Sequence, residues 1–182
     1  MPRLVCLLSV MVLAGCAPVL APERFEGRAP FMRPERFFLG ETRSQGVLEA
    51  ASGAPSQRFT VAGRGRLLPD GSLVLDQHIA FEGEPARDRS WRLRPTGPHT
   101  YAGSLTDASG PVEAQAYGDL FHLRYPLKGV PFGAMEQWLY LQADGETVVN
   151  EAVVRIGGVT VRRLSERISR SGSTPAGAPA KR

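Results

Sequence analysis

Leu67-Leu68-Pro69-Asp70-Gly71-Ser72-Leu73-Val74-Leu75-Asp76-Gln77-His78-Ile79-Ala80-Phe81 is a turn followed by a strand. Proline, aspartate and glycine in succession favour a tight reversal. After it, Leu73, Leu75, Ile79 and Phe81 fall on one face, and Val74, Asp76, His78, Ala80 and Glu82 on the other. A period of two over this length is the pattern of a strand with one buried face. The same pattern extends in both directions. From Thr42 onward the sequence predicts strands at 42–50, 57–67, 72–82, 87–94, 99–106, 111–117, 120–128, 135–142, 147–155 and 159–168. Between them stand Gly83-Glu84-Pro85, Thr96-Gly97-Pro98, Gly118-Asp119, Ala143-Asp144-Gly145 and Gly157-Gly158, all turn-forming. The only helical expectations are one turn at Pro34–Phe38, ended by Gly40, and a short stretch near Ser165–Arg170.

Short links between consecutive strands favour an up-and-down meander, and closure into a barrel removes its exposed edges. The expected fold is all-β: an antiparallel up-and-down, lipocalin-like barrel of about 8–10 strands, with Phe37 and Phe38 plugging one end. In 120–125, Phe121, Leu123 and Tyr125 oppose His122 and Arg124. In 135–141, Glu136, Trp138 and Tyr140 oppose Gln137, Leu139 and Leu141. With apolar groups on both sides, that strand is expected to meet the barrel interior on one face and a helix, loop or membrane on the other.

The N-terminus carries different information. Leu4–Leu13 is almost wholly apolar, Arg3 is its only neighbouring charge, and Leu13-Ala14-Gly15-Cys16 has the form of a bacterial lipobox. The apolar run has the length of a secretory core and about half that of a membrane-spanning helix. On this reading residues 1–15 are a signal peptide, and Cys16 is the lipidated residue. Residues 16–33 form a Pro-rich tether, 34–168 the barrel domain and 169–182 a disordered tail. Two or three acyl chains hold a protein at a membrane where one would not. Ala17 after the cysteine favours the outer membrane, with the domain facing the periplasm.

The chain has 182 residues and a net charge of +4; loss of residues 1–15 removes one arginine and no acid, which leaves +3. Acids and bases are interleaved, so there is no nucleic-acid footprint. A late basic cluster (Arg155, Arg162, Arg163, Arg167 and Arg170) is read as a solvated strand face in preference to a lipid-binding patch. The two cysteines, Cys6 and Cys16, both lie at the processed end, so the domain is expected to rely on its core without a disulfide.

Several segments in order carry a family resemblance: Pro34-Glu35-Arg36-Phe37-Phe38-x-Gly40, Leu73-x-Leu75-Asp76, Trp91, Tyr101-x-Gly103, Asp107, Gly118, Arg124-Tyr125, Trp138-x-Tyr140-Leu141 and Asn150. This pattern resembles the DUF3833 family of bacterial lipoproteins over about residues 34 to 168. The resemblance implies a lipocalin-like domain and no established activity. Genes for its members often lie near genes of fatty-acid or lipid modification, which points towards lipid. The sequence departs from the family pattern at Glu136-Gln137, where an acidic pair is usual, and at Gln77 and His78, where acids are common.

Candidate site residues divide by chemistry. Trp91, Tyr101, Tyr125, Trp138 and Tyr140 are large amphipathic aromatics that either line a ligand cavity or fill the core. Asp76 and Asn150, with Asp107, are structural groups first and ligand-orienting groups second. Asp76, His78 and Glu82 alternate along one strand, a poor geometry for a metal, and no metal site is expected. There is no Gly-x-Ser-x-Gly elbow, and His78, His99 and His122 are the only histidines, so no catalytic residue and no cofactor is expected. The leading functional expectation is an envelope lipoprotein that binds a hydrophobic ligand such as a lipid or fatty acid. The alternatives are a ligand-free module that docks an envelope protein partner, and an accessory to a lipid-modifying enzyme. The expected partners are the membrane through the anchor, a hydrophobic small molecule or an envelope protein, and no nucleic acid.

Overall fold

The computed structural model describes residues 20–171. Cys16, the signal segment and residues 172–182 of the expected tail lie outside the described residues. The ten strands are β1 (Gly40–Ala50), β2 (Pro55–Leu67), β3 (Leu73–Phe81), β4 (Arg87–Pro95), β5 (Thr100–Leu105), β6 (Val112–Tyr117), β7 (Leu120–Pro126), β8 (Gly133–Leu141), β9 (Thr147–Ile156) and β10 (Val159–Arg170). Each pairs antiparallel with its sequence neighbours, and β1 pairs with β10 to close the barrel. The expected fold class is therefore the observed one. The β9–β10 link shows how the sequence builds a hairpin. Gly157 and Gly158 have φ of 57° and 85°, the two left-handed residues that a type I′ turn requires.

Alternation sets the faces as expected. Leu73, Leu75, Gln77 and Ile79 of β3 are buried, whereas Asp76 and His78 are exposed. Residues 165–170 continue β10 and form no helix. Ser169 pairs with Arg43 and Arg170 with Thr42, so the seam ladder satisfies the backbone that a helical turn would need. Leu164, Glu166 and Ile168 also keep the period of two that places them inside.

One end of the barrel is closed by the chain itself. The short helix α1 (Pro34–Phe37) lies across it, and Phe37 and Phe38 are buried in edge-to-face contact at 4.9 Å. They join Met32, Leu73, Leu75, Trp91, Leu93, Phe121, Leu123 and Leu139 in one apolar cluster. A Cβ on Gly65 would stand 1.7 Å from the Phe38 carbonyl oxygen, so only glycine admits the plug this closely.

The expected tether is docked, not free, over residues 20–33. A 3₁₀ turn, Pro22–Phe25, lies against β6 and β7. The Phe25 ring packs on Tyr140 at 5.8 Å, Arg28 pairs with Asp119 at 3.1 Å, and Met32 is buried. Local polarity and the three prolines of 16–33 suggested a linker, but Phe25 and Met32 find apolar partners only in the folded barrel. Phe25 covers Tyr140 on the outer face of β8, one of the apolar groups that the sequence left in need of a partner.

Phe38→Ala removes the centre of the plug. It should lower the unfolding free energy by about 3–5 kcal/mol, read from chemical denaturation followed by near-UV circular dichroism. An unchanged midpoint would mean that the plug is dispensable.

Candidate functional site

Inward-facing side chains change character along the barrel axis. The plugged half is the apolar cluster just described. Above it runs a belt of polar groups: Ser44 on β1, Glu166 on β10, Asn150 on β9, Gln137 on β8, Tyr125 on β7, Arg89 on β4 and Gln77 on β3. Beyond the belt a second apolar cluster begins, with Phe59, Val61 and Ile79 buried and Leu48, Phe81 and Leu164 packed against them. This outer half encloses a cavity of about 460 Å³. Its wall is the second cluster together with Met135 and Val154, its floor is Arg89, Tyr125, Gln137, Asn150 and Glu166 of the belt, and Arg87, Lys128, Val130 and Arg162 stand at its mouth.

The belt is one directed hydrogen-bond chain on its larger side. The Ser44 hydroxyl donates to Glu166 Oε1 at 2.5 Å. Asn150 Nδ2 donates to Glu166 Oε2 at 2.9 Å and to Gln137 Oε1 at 3.1 Å. Gln137 Nε2 donates to the Tyr125 hydroxyl oxygen at 3.3 Å. Glu166 fixes the direction, because a carboxylate only accepts and the Asn150 amide must turn its nitrogen towards it. Asn150 Oδ1 is then left buried without a partner among the described residues. On the other side, Arg89 Nε donates to Gln77 Oε1 at 3.0 Å and pairs with Asp107 at 3.6 Å. Its guanidinium lies 5.4 Å from the centroid of the Trp91 ring. Burial pushes the Tyr125 phenol up from its ordinary range, so it remains a proton donor at neutral pH.

The candidate residues separate clearly. Tyr125 and Asn150 line the cavity. Trp91 lies directly under Arg89 in the filled half, with its indole nitrogen buried and unpartnered among the described residues. Tyr101 is also in the filled half, where its hydroxyl donates to Glu35 of α1 at 3.0 Å. Trp138 and Tyr140 do not face the interior. They project from the outer wall, Trp138 against His122 at 5.5 Å and Tyr140 against Phe25. The inward positions of β8 are taken by Met135, Gln137, Leu139 and Leu141. Asp76 is also outside, held by Ser90 at 2.7 Å and Arg66 at 2.5 Å. These contacts keep its carboxyl below the usual carboxylate range. His78 beside it bonds Asp88 at 2.8 Å. Among the described residues no group of three or more His, Cys, Asp and Glu is placed to hold a metal.

The sequence reading missed Glu166, Gln137, Ser44 and Arg89. Glu166 and Arg89 each occupy a position that alternates with apolar neighbours on a buried face. A charged residue in phase with the core was the available signal. Two larger depressions, about 730 and 580 Å³, lie on the outer wall. They are open surface, and in the smaller one the polar side chains Asp76, His78 and Asp88 pair with neighbours.

Fold and cavity together define a closed antiparallel barrel, plugged at one end and hollow at the other. The chain belongs to the family described as "Protein of unknown function (DUF3833)", whose model matches residues 10–170. No curated protein matches it. Among solved structures it is similar to the S-type phycobiliprotein lyase CPES from Guillardia theta, with 14% identity, a TM-score of 0.62, and coverage of 86% of this chain and 100% of that one. It is also similar to a DUF3598-family protein of unknown function from Nostoc punctiforme, with 17% identity and a TM-score of 0.58. That match covers 78% of this chain and spans half the length of the Nostoc protein. At these identities the likenesses show the barrel fold alone.

Burial, followed by the neighbouring Glu35 carboxylate, raises the Tyr101 phenol to about 12. An unfolded tyrosine ionises near 10. Because the folded value is the higher one, its contribution to stability is intact below pH 10 and is lost as the pH rises from 10 towards 12. Denaturation curves across that window should fall more steeply for the wild type than for Tyr101→Phe. Parallel curves would show that this phenol does not couple ionisation to folding.

Proposed function

We propose that this protein is an envelope lipoprotein whose barrel takes up a hydrophobic ligand, a lipid or fatty acid, and does not turn it over. The observation that carries the reading is the cavity of about 460 Å³ in the outer half of the barrel, walled by Phe59, Ile79 and Leu164 and floored by polar groups. Ligand sites are mostly apolar hollows with a few placed polar groups, and this hollow has both. Leu164→Trp should fill it. Native mass spectra after incubation with total envelope lipid should then show a bound species of defined mass in the wild type and none in the variant. A wild-type spectrum without adducts across all extracts would refute ligand binding.

The anchor belongs to the same reading. The described chain begins beside the closed end, where Phe25 and Arg28 meet the Gly118–Asp119 turn. Lipid on Cys16 would therefore hold the closed end nearest an outer membrane and turn the mouth away from it, towards the periplasm. Cys16→Ser should move the chain from the membrane fraction to the soluble fraction and abolish palmitate labelling; retention of both would remove the anchor from the proposal.

One observation favours the reading of a module that docks a partner. At the mouth, Phe132 is 88% exposed at a left-handed φ of 56°, and the neighbouring Ile156 and Val159 are also exposed. Single exposed apolar groups are common, but a cluster on a rim marks a contact surface. A photocrosslinker at position 132 should capture an envelope protein if this rim docks one.

A further inference from the structure

Within the ligand-binding reading, we infer that the cavity takes a single-chain amphiphile with an anionic head, a carboxylate or a phosphate, seated tail-inward with the head at the rim among Arg87, Lys128 and Arg162. The basis is the way charge is sorted along the cavity. Its lining carries four cations, Arg87, Arg89, Lys128 and Arg162, and two acids, Asp107 and Glu166. Both acids have partners: Asp107 pairs with Arg89 at 3.6 Å, and Glu166 accepts from Ser44 and Asn150. The other three cations all stand at the mouth, and none of them forms an ion pair among the described residues. Register places two of the three on the inner surface of the sheet. Arg87 stands opposite Ile79, and Arg162 opposite Val154, both of which wall the cavity. Directly opposed residues of an antiparallel pair share a face, so each arginine continues an apolar wall and ends it with a charge. The Arg87 guanidinium lies 4.7 Å from the ring centroid of Phe81, which also lines the hollow. A long basic side chain can lay its stem on apolar surface while its head stays in water, and all three cations are exposed.

The chemistry of the occupant follows from the two ends of the hollow. The wall of Phe59, Ile79 and Leu164 suits an alkyl chain. A volume of about 460 Å³ is in the lower half of the range of ligand sites, roughly 300–1,000 Å³, and holds one such chain. An anionic head turned inward would meet the fixed Glu166 carboxylate, a like charge in a site of low dielectric. The one guanidinium of the floor, Arg89, already lies against Gln77, Asp107 and the face of Trp91. At the rim the same head meets three cations and keeps contact with water, so little of the desolvation penalty of a buried ion pair applies. A neutral head gains nothing from these charges, and a cationic head meets its own sign.

The test uses the full chain in native membranes and three twelve-carbon probes with a diazirine at the tail end: the alkyl phosphate, the carboxylic acid and the primary alcohol. They are irradiated at about pH 8.5, where both acids are anions, and crosslinks are mapped by mass spectrometry. The anionic probes should label the floor, at Tyr125 and Gln137. The ratio of anion to alcohol labelling in the cavity should fall about tenfold from the wild type to the combined variant Arg87→Gln, Lys128→Gln and Arg162→Gln, the sum of three wet ion pairs of modest strength each. Each probe partitions into the membrane alike for both proteins, so partition cancels from that comparison. A fall for the phosphate alone would assign a lipid phosphate as the head, and a fall for the carboxylate alone a fatty acid; either supports the inference. An unchanged ratio for both anions would overturn the anionic head and leave apolar binding standing. Anion crosslinks at Lys128 and Val130 in place of the floor would overturn the tail-inward pose, and this is read on the wild type alone, whether or not the variant folds. Absence of cavity labelling by every probe would overturn both the inference and the ligand-binding reading beneath it.

Discussion

The width of a ten-stranded barrel governs the rest of this structure. Eight strands leave an interior that side chains can just fill; ten leave more. At one end the chain meets that excess with material from outside the sheet, folding Met32, Phe37 and Phe38 inward across the opening. No equivalent segment covers the other end among the described residues, and the hollow there follows from the same geometry. Both halves are apolar, and the polar belt lies between them.

The belt is also the part of the interior with the narrowest tolerance. A carboxylate buried in a barrel is destabilising unless its oxygens are satisfied. Glu166 finds its donors on the two strands that flank it, Ser44 on β1 and Asn150 on β9. The first of these bonds crosses the seam at which the barrel closes. A slip of one residue in β10 would turn Glu166 to solvent and bring Arg167 inside. The hydrogen-bond chain therefore acts against wrong closure as well as shaping the floor of the cavity. Its Asn150 Oδ1 is buried without a hydrogen-bond partner among the described residues.

The fold was nearly all legible in the linear pattern. From Leu75 to Ile79 burial alternates because one face is buried and the other wet, with Val74 buried on the outer face as an exception, and turn signals stand before the later strands. The plug was legible too, since Pro34 and Gly40 bracket two adjacent phenylalanines. Residues 165–170 misled because arginine, serine and glutamate near a chain end read equally well as a helical turn. Only pairing with β1 decides for strand. The segment 20–33 misled for a related reason: prolines and charges look like a linker, and the partners of Phe25 and Met32 are distant in sequence.

The site was legible only in part. Sequence by itself determined which residues share a face, because period two is a local property of the chain. That was enough to place Tyr125 with Phe121 and to oppose Trp138 and Tyr140 to Leu139. It did not determine which face is inside when both are apolar. Trp138 and Tyr140 were candidates on size and chemistry, yet closure put Gln137 and Leu139 inward in their place. Nor could it bring Ser44, Gln137, Asn150 and Glu166 together, since the bond from Ser44 to Glu166 joins residues 122 positions apart. Tertiary structure alone decided the belt and the cavity, because each depends on the distance across a closed sheet and no local pattern encodes that distance.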